Sequence, residues 1–300
     1  MGVRFLGIIL LFGASCFSQT KPSSFWESAD SLNKPRFWST TAGISSIWAG
    51  SNLLLSQIWY KEFERTSWHT FDDSKSWMQV DKVGHAYTAY QLSSLVAKTY
   101  RWSGVKHRTA AWIGAGVGWS YQFSVEMLDA YSSNWGFSWS DVAANTLGSS
   151  LFLGQELFFR DQFLKFKFSY RESGLASYRP SHLGSTLPEK ILKDYNAQNY
   201  WLSFSPFYFS KNPKAPKWLA IAIGYGAHQK FIGDSDVFTS SDGRTFEAKR
   251  EWLLSLDVDV KQLPIRNRWL KAALSPFNTI KFPFPTLMWR GKTFYALRSY

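Results

Sequence analysis

Six side chains between residues 81 and 145 stand at helical spacings: Asp81 and His85 four apart, Glu126 and Asp129 three apart, Asp141 and Asn145 four apart. On helices, each pair projects from one face. Three neighbouring helices would let those faces converge. A set of one imidazole, several carboxylates and a carboxamide can ligate a divalent metal or set a general acid beside a general base. In the catalytic version Glu126 or Asp141 is the base, His85 the acid or a ligand, and Asp129 a supporting charge.

Simpler roles compete with these. Asp81 could cap its helix, and Ser138 with Asp141 three residues later forms a capping arrangement, Asp replacing the usual Glu. His85 and Glu126 lie inside otherwise apolar stretches, where an unpaired ionised group is costly and a partner is expected. The catalytic candidates are therefore His85, Glu126, Asp129 and Asp141. The binding or structural network expected is Asp81, His85, Glu126, Asp129, Ser138, Asp141 and Asn145, with a divalent metal as the one cofactor it suggests. His69, His107, His182 and His228 show no metal-ligand spacing.

The elements that must carry these residues are four helices. Residues 37–60 hold no charged side chain and are about long enough to cross a bilayer core of roughly 20 residues. Shorter uncharged stretches follow at 83–97, 109–125 and 142–155, divided by turn-forming segments around Gly104 and at Ser132–Gly136. Gly114 and Gly118 make a small-xxx-small pair suited to close helix approach.

Beyond about residue 160 the period changes to two. Residues 219–226 and 252–260 alternate as strands do, Asp242-Gly243 and Arg290-Gly291 mark turns, and 201–209 and 294–300 are further strand candidates. Four or five strands are too few for a closed transmembrane barrel. The fold class expected is α+β: a hydrophobic four-helix bundle, with membrane embedding as one expectation, followed by a small antiparallel sheet packed beside it. The divisions expected are residues 1–19, an export signal; 20–165, the helical core; 166–200, a connecting segment; and 201–300, the β region.

The order Asp81-Lys82-x-x-His85, Glu126-x-x-Asp129, Gly136-Phe137-Ser138-x-x-Asp141-x-x-x-Asn145-x-x-Gly148 resembles the YfiM-like family of predicted periplasmic lipoproteins of unknown function. VanZ-like membrane proteins share a similar order more distantly. The likeness covers roughly residues 37–160, and WLAIAIGYG followed by LSLDVDV is similar to the longer YfiM-like members. It implies an envelope location and leaves the chemistry unassigned.

Residues 1–19 read as an export signal, with Arg4 ahead of an apolar run and small residues at 14–18. Cleavage after Ser18 is expected over lipidation at Cys16, since Gly13 stands where a lipid-attachment motif wants a large aliphatic residue. Cys16 is the single cysteine, so the mature fold has no internal disulfide and no thiolate metal site. The expected location is the cell envelope of a Gram-negative-type bacterium, in the periplasm or at a membrane.

The net charge of +12 is concentrated at the C-terminal end, where residues 161–300 hold 21 basic and 11 acidic side chains. Such a face suits anionic headgroups; nucleic acid is not an expected partner of an exported chain without a recognition motif. Glycine-rich phosphate loops, nucleophile elbows and the H-E-x-x-H metalloprotease signature are missing from the sequence. Three functions remain: a membrane-associated envelope protein whose polar cluster is structural or binds a lipid or other envelope ligand, a hydrolase of a lipid-linked or phosphate-containing envelope substrate, and a soluble periplasmic assembly partner, which the mean hydropathy of −0.23 favours.

Overall fold

A computed structural model describes residues 25–58 and 64–297. The expected export signal, with Cys16, lies outside the described residues.

Four long helices form the first half: α1 (Lys34–Ile58), α2 (Val80–Trp102), α3 (His107–Asp129) and α4 (Trp139–Phe158). Asn33 opens α1 by accepting from the Arg36 N–H at 3.1 Å, and Ser138 caps α4 by accepting from the Asp141 N–H at 3.1 Å. Helix α2 is the centre of the bundle. Gly114 and Gly118 of α3 lie against Ser93 and Ala97, so a methyl group at either position would collide with α2; at Gly148 of α4 it would overlap the Ala86 carbonyl. The glycines thus let three backbones approach closely enough for their polar side chains to meet.

Helix α1 lies on the outside, packing Phe37 and Ile44 against a small cluster around Val96, Tyr100 and Ala110. Among the described residues, no helix is long and apolar enough to cross a membrane, which corrects the reading of 37–60 as a possible span. The cause is visible in its composition: serine, threonine and Asn52 recur along α1, and Thr41 and Asn52 spend their polar groups on Tyr100 and Ser124 of its neighbours.

The second half is an antiparallel sheet of six strands in the order β1-β2-β3-β6-β7-β8, with a separate hairpin, β4-β5. The strands are β1 (Leu164–Tyr170), β2 (Gln198–Phe204), β3 (Leu219–His228), β4 (Val237–Thr239), β5 (Thr245–Glu247), β6 (Lys249–Val258), β7 (Thr286–Arg290) and β8 (Thr293–Leu297). Three short helices, α5 (Pro180–Leu183), α6 (Leu187–Lys193) and α7 (Arg268–Leu274), fill the connections. The α+β class holds, with a larger sheet than expected. Strand β1 falls in a stretch not read as a strand, because its alternation is Phe with Lys: Lys165, Lys167 and Phe166, Phe168.

One end of the sheet packs on α2. Phe166 and Phe168 of β1 and Tyr200 of β2 meet Tyr87 and Tyr90 at ring separations of 5.5–6.1 Å, and Tyr90, Phe152, Phe166 and Tyr200 share the main core cluster. Such aromatic pairs add about 0.5–1.5 kcal/mol each beyond their area burial. The bundle and the β1-β2 edge therefore hold each other.

Candidate functional site

The approach to α2 is unusual. Trp77, Met78 and Gln79 all have positive φ, 49°, 52° and 62°, a left-handed turn that non-glycine residues adopt at a cost of roughly 1–2 kcal/mol each. The surroundings hold it: Trp77 N–H donates to the Gly233 carbonyl at 2.9 Å, and Arg250 donates to the Met78 carbonyl at 3.0 Å and to Gln79 Oε1 at 2.6 Å. Because of this turn, Asp81 enters α2 with its carboxylate free of capping. Its Oδ1 accepts from the Tyr195 hydroxyl at 2.6 Å instead.

One turn on, His85 points between the three helices. Its Nδ1 lies 3.2 Å from Asn145 Oδ1 and 3.5 Å from Glu126 Oε1. Asn145 Oδ1 is the hydrogen-bonding acceptor on that edge, and the Gln122 amide nitrogen lies 3.3 Å from Asn145 Oδ1 and 3.4 Å from His85 Nδ1. The other ring nitrogen, Nε2, lies 3.9 Å from Asp81 Oδ1 and 3.9 Å from Asp141 Oδ1. One donor atom each from Asp81, His85 and Asp141 lies within 4.8 Å of the others.

A lysine touches the same carboxylates. Lys82 Nζ is 2.5 Å from Asp73 Oδ2, 3.0 Å from Asp81 Oδ2 and 2.8 Å from Asp141 Oδ1. Asp73 in turn accepts from the hydroxyls of Ser138 at 2.5 Å and Ser140 at 2.8 Å. Ser138 N–H donates to Glu126 Oε2 at 3.4 Å, so the residue that caps α4 also ties it to α3.

The structure thus brings Asp81, His85, Glu126, Ser138, Asp141 and Asn145 into one cluster. Asp141 is not the far half of a capping box, since its carboxylate turns inward to Lys82 and His85. Asp129, one turn beyond Glu126, acts on the cluster through its charge, helping to raise Glu126. Asp73, Lys82, Gln122 and Tyr195 join the cluster as well. Outside it, His107 pairs with Glu156 at 2.9 Å and His69 Nε2 contacts the Trp135 carbonyl at 2.6 Å.

Burial sets the electrostatics. It pushes Glu126 up to about 8, only partly offset by His85, and Asp141 up to about 6. Burial would lower His85, but Asp81, Asp141 and Glu126 outweigh it and raise the imidazole to about 9. Lys82 is likewise raised, Asp81 and Asp141 overcoming its desolvation. At Asp81 the desolvation is overcome by His85 and Lys82, which hold it low. Two carboxyl oxygens, Glu126 Oε1 and Asp141 Oδ1, both buried, have no aligned hydrogen-bond donor among the described residues. Asp141 Oδ1 touches Lys82 as an ion pair, outside hydrogen-bond alignment.

Residues 67–154 match a family described as predicted periplasmic lipoprotein (DUF2279). The matched stretch begins before Asp73 and ends after Asn145, so it holds every member of the cluster except Tyr195. It places the chain in the periplasmic cell envelope. No curated protein and no solved structure matches the chain.

Proposed function

We propose that this envelope protein binds a divalent cation between Asp81, His85 and Asp141. The observation that carries the reading is the orientation of one ring: His85 Nδ1 faces Asn145 Oδ1 and Glu126, while Nε2 lies 3.9 Å from a carboxylate oxygen of both Asp81 and Asp141. Ligating histidines characteristically give their second nitrogen to a buried acceptor in this way. Cations bound at 2.0–2.6 Å hold their ligands roughly 3–4 Å apart, so the site needs only a small contraction. A set of one imidazole and two carboxylates suits zinc, manganese or iron over calcium or magnesium, and leaves positions for water or an envelope ligand on the side where Asp81 and His85 reach solvent.

In this reading the cation replaces the proton on His85 Nε2, while Lys82 keeps neutralising Asp81 Oδ2 and both oxygens of Asp141, sharing Oδ1 with the cation. A hydrolase built on this site would use a metal-bound water, because Glu126 is fully enclosed and cannot touch a substrate. The lysine favours a second reading, a purely structural charged network. The motif order also supports kinship with YfiM-like proteins and, more distantly, with VanZ-like proteins.

Calorimetric titration of the chelator-treated protein with zinc and manganese separates the two readings. The cation site predicts one ion per chain, a raised melting temperature and at least tenfold weaker binding in His85→Ala and Asp81→Asn. A charged network predicts no saturable binding.

A further inference from the structure

The six-stranded sheet is built with its polarity reversed. Along β6, Glu251, Leu253, Ser255 and Asp257 are buried while Trp252, Leu254 and Leu256 are exposed. The inner face holds ion pairs: Lys167 with Asp257 at 2.7 Å, both without exposed surface, Lys165 with Asp259 at 2.6 Å and Arg290 with Glu251 at 2.6 Å. A strap at 281–285 crosses this face, its Phe282 N–H donating to Asp257 at 3.1 Å and its Pro285 carbonyl accepting from Ser255 at 3.2 Å. A sheet with one wet face normally turns the apolar side chains to the core and the charged ones to water. Here the ions are inside and leucine and tryptophan outside, the arrangement a lipid environment demands.

The register orders that outer face into bands. Ile223, Leu254, Leu287 and Ala296 are paired across successive strands, and so, two residues along, are Tyr225, Trp252, Trp289 and Phe294. At the same end of the strands, beyond the aromatic row, comes Arg250, on the outer face with its guanidinium held by Met78, Gln79 and Tyr225. Two exposed lysines stand at the strand ends, Lys249 on the alternate face of β6 and Lys292 in the β7-β8 turn. Trp252 is 54% and Ile223 52% exposed. An aliphatic band, an aromatic row and then basic side chains is the sequence met on passing from acyl chains through the interface to anionic headgroups. The basic excess of residues 161–300 has the matching sign.

We propose that the outer face of β3-β6-β7-β8 is a docking surface for an anionic lipid leaflet, seated with the aliphatic band in the acyl region and the strand-end lysines Lys249 and Lys292 at the headgroups. This is independent of the cation site. The test is flotation with vesicles of phosphatidylethanolamine and phosphatidylglycerol, and with phosphatidylcholine alone, using a chain carrying Cys16→Ala so that no acyl group can be attached. Two variants in that background report the face. Leu254→Asp/Leu287→Asp should lower binding at least roughly tenfold, since acidic side chains resist the acyl region, with the melting temperature retained as the sign of folding. Lys249→Glu/Lys292→Glu, at exposed positions, should weaken binding to the anionic vesicles alone, and serves if the first variant does not fold. Failure of the parent chain to float, or flotation unchanged in both variants, would overturn the proposal. So would a parent that stays off vesicles but dimerises through this face, losing the dimer in Leu254→Asp/Leu287→Asp, because a second copy would then be the occupant.

Discussion

Glu126 reaches the cluster with one oxygen on the Ser138 N–H and the other facing His85, with no exposed surface. Removing the carboxylate in Glu126→Ala strands a buried N–H and one edge of the imidazole, so urea unfolding should show a loss of about 1–3 kcal/mol. Glu126→Gln keeps an acceptor for Ser138 and should lose less. A change in Glu126→Ala within about 0.5 kcal/mol, the range of an ordinary surface substitution, would contradict the partnership. The same groups give a pH dependence. In the folded metal-free protein His85 stays protonated up to about 9 instead of 6.5, and Glu126 up to about 8 instead of 4.5. The native state therefore binds more protons than the unfolded chain over those windows, and stability falls as pH rises. With chelator present, the melting temperature should drop between about pH 6.5 and 9, and Glu126→Gln should flatten part of that drop. Saturating zinc should reverse the trend, since the metal and the proton compete for Nε2. A melting temperature that climbs across this range without metal would show that the cluster is not charged as described.

At the scale of the element, helix spacing made half of the cluster readable. Asp81 with His85, and Asp141 with Asn145, were visible as same-face pairs because α2 and α4 are regular there. Asp73 and Tyr195 were not, as each sits in an irregular segment whose position depends on tertiary contacts. Lys82 stood in the motif, yet its role could not be read: a residue adjacent to Asp81 normally faces elsewhere, and only its long stem brings the ammonium back to Asp81, Asp73 and Asp141. The close helix approach is the testable part of this frame. A methyl at Gly148 overlaps the Ala86 carbonyl, whereas at Gly116 it meets nothing within 4 Å. Gly148→Ala should therefore cost about 1–3 kcal/mol by overpacking, while Gly116→Ala should be neutral or gain up to about 1 kcal/mol from helix propensity. Thermal melts of the two variants check this, and equal effects would mean that α2 and α4 are not held apart by so little.

Across the whole molecule, the strand period was legible but its direction was not. Alternation in 219–226 and 252–260 marks two faces, and the usual rule assigns the leucines to the core; the buried partners of Asp257 and Glu251 lie on β1 and β7, far away in sequence, so the reversal emerges only once the sheet is assembled. The same long-range assembly joins the two halves. Arg250 of β6 steadies the left-handed turn before Asp81, and Tyr195, just ahead of β2, holds the Asp81 carboxylate. The proposed cation site would thus draw its ligands from two helices and support from the sheet. Its most direct test is an anomalous difference map from crystals grown with manganese or zinc. The account predicts one strong peak bounded by Asp81, His85 and Asp141, with His85 Nε2 as a ligand and Nδ1 still on Asn145. Crystals that take up the metal elsewhere while Nε2 stays unligated would contradict it.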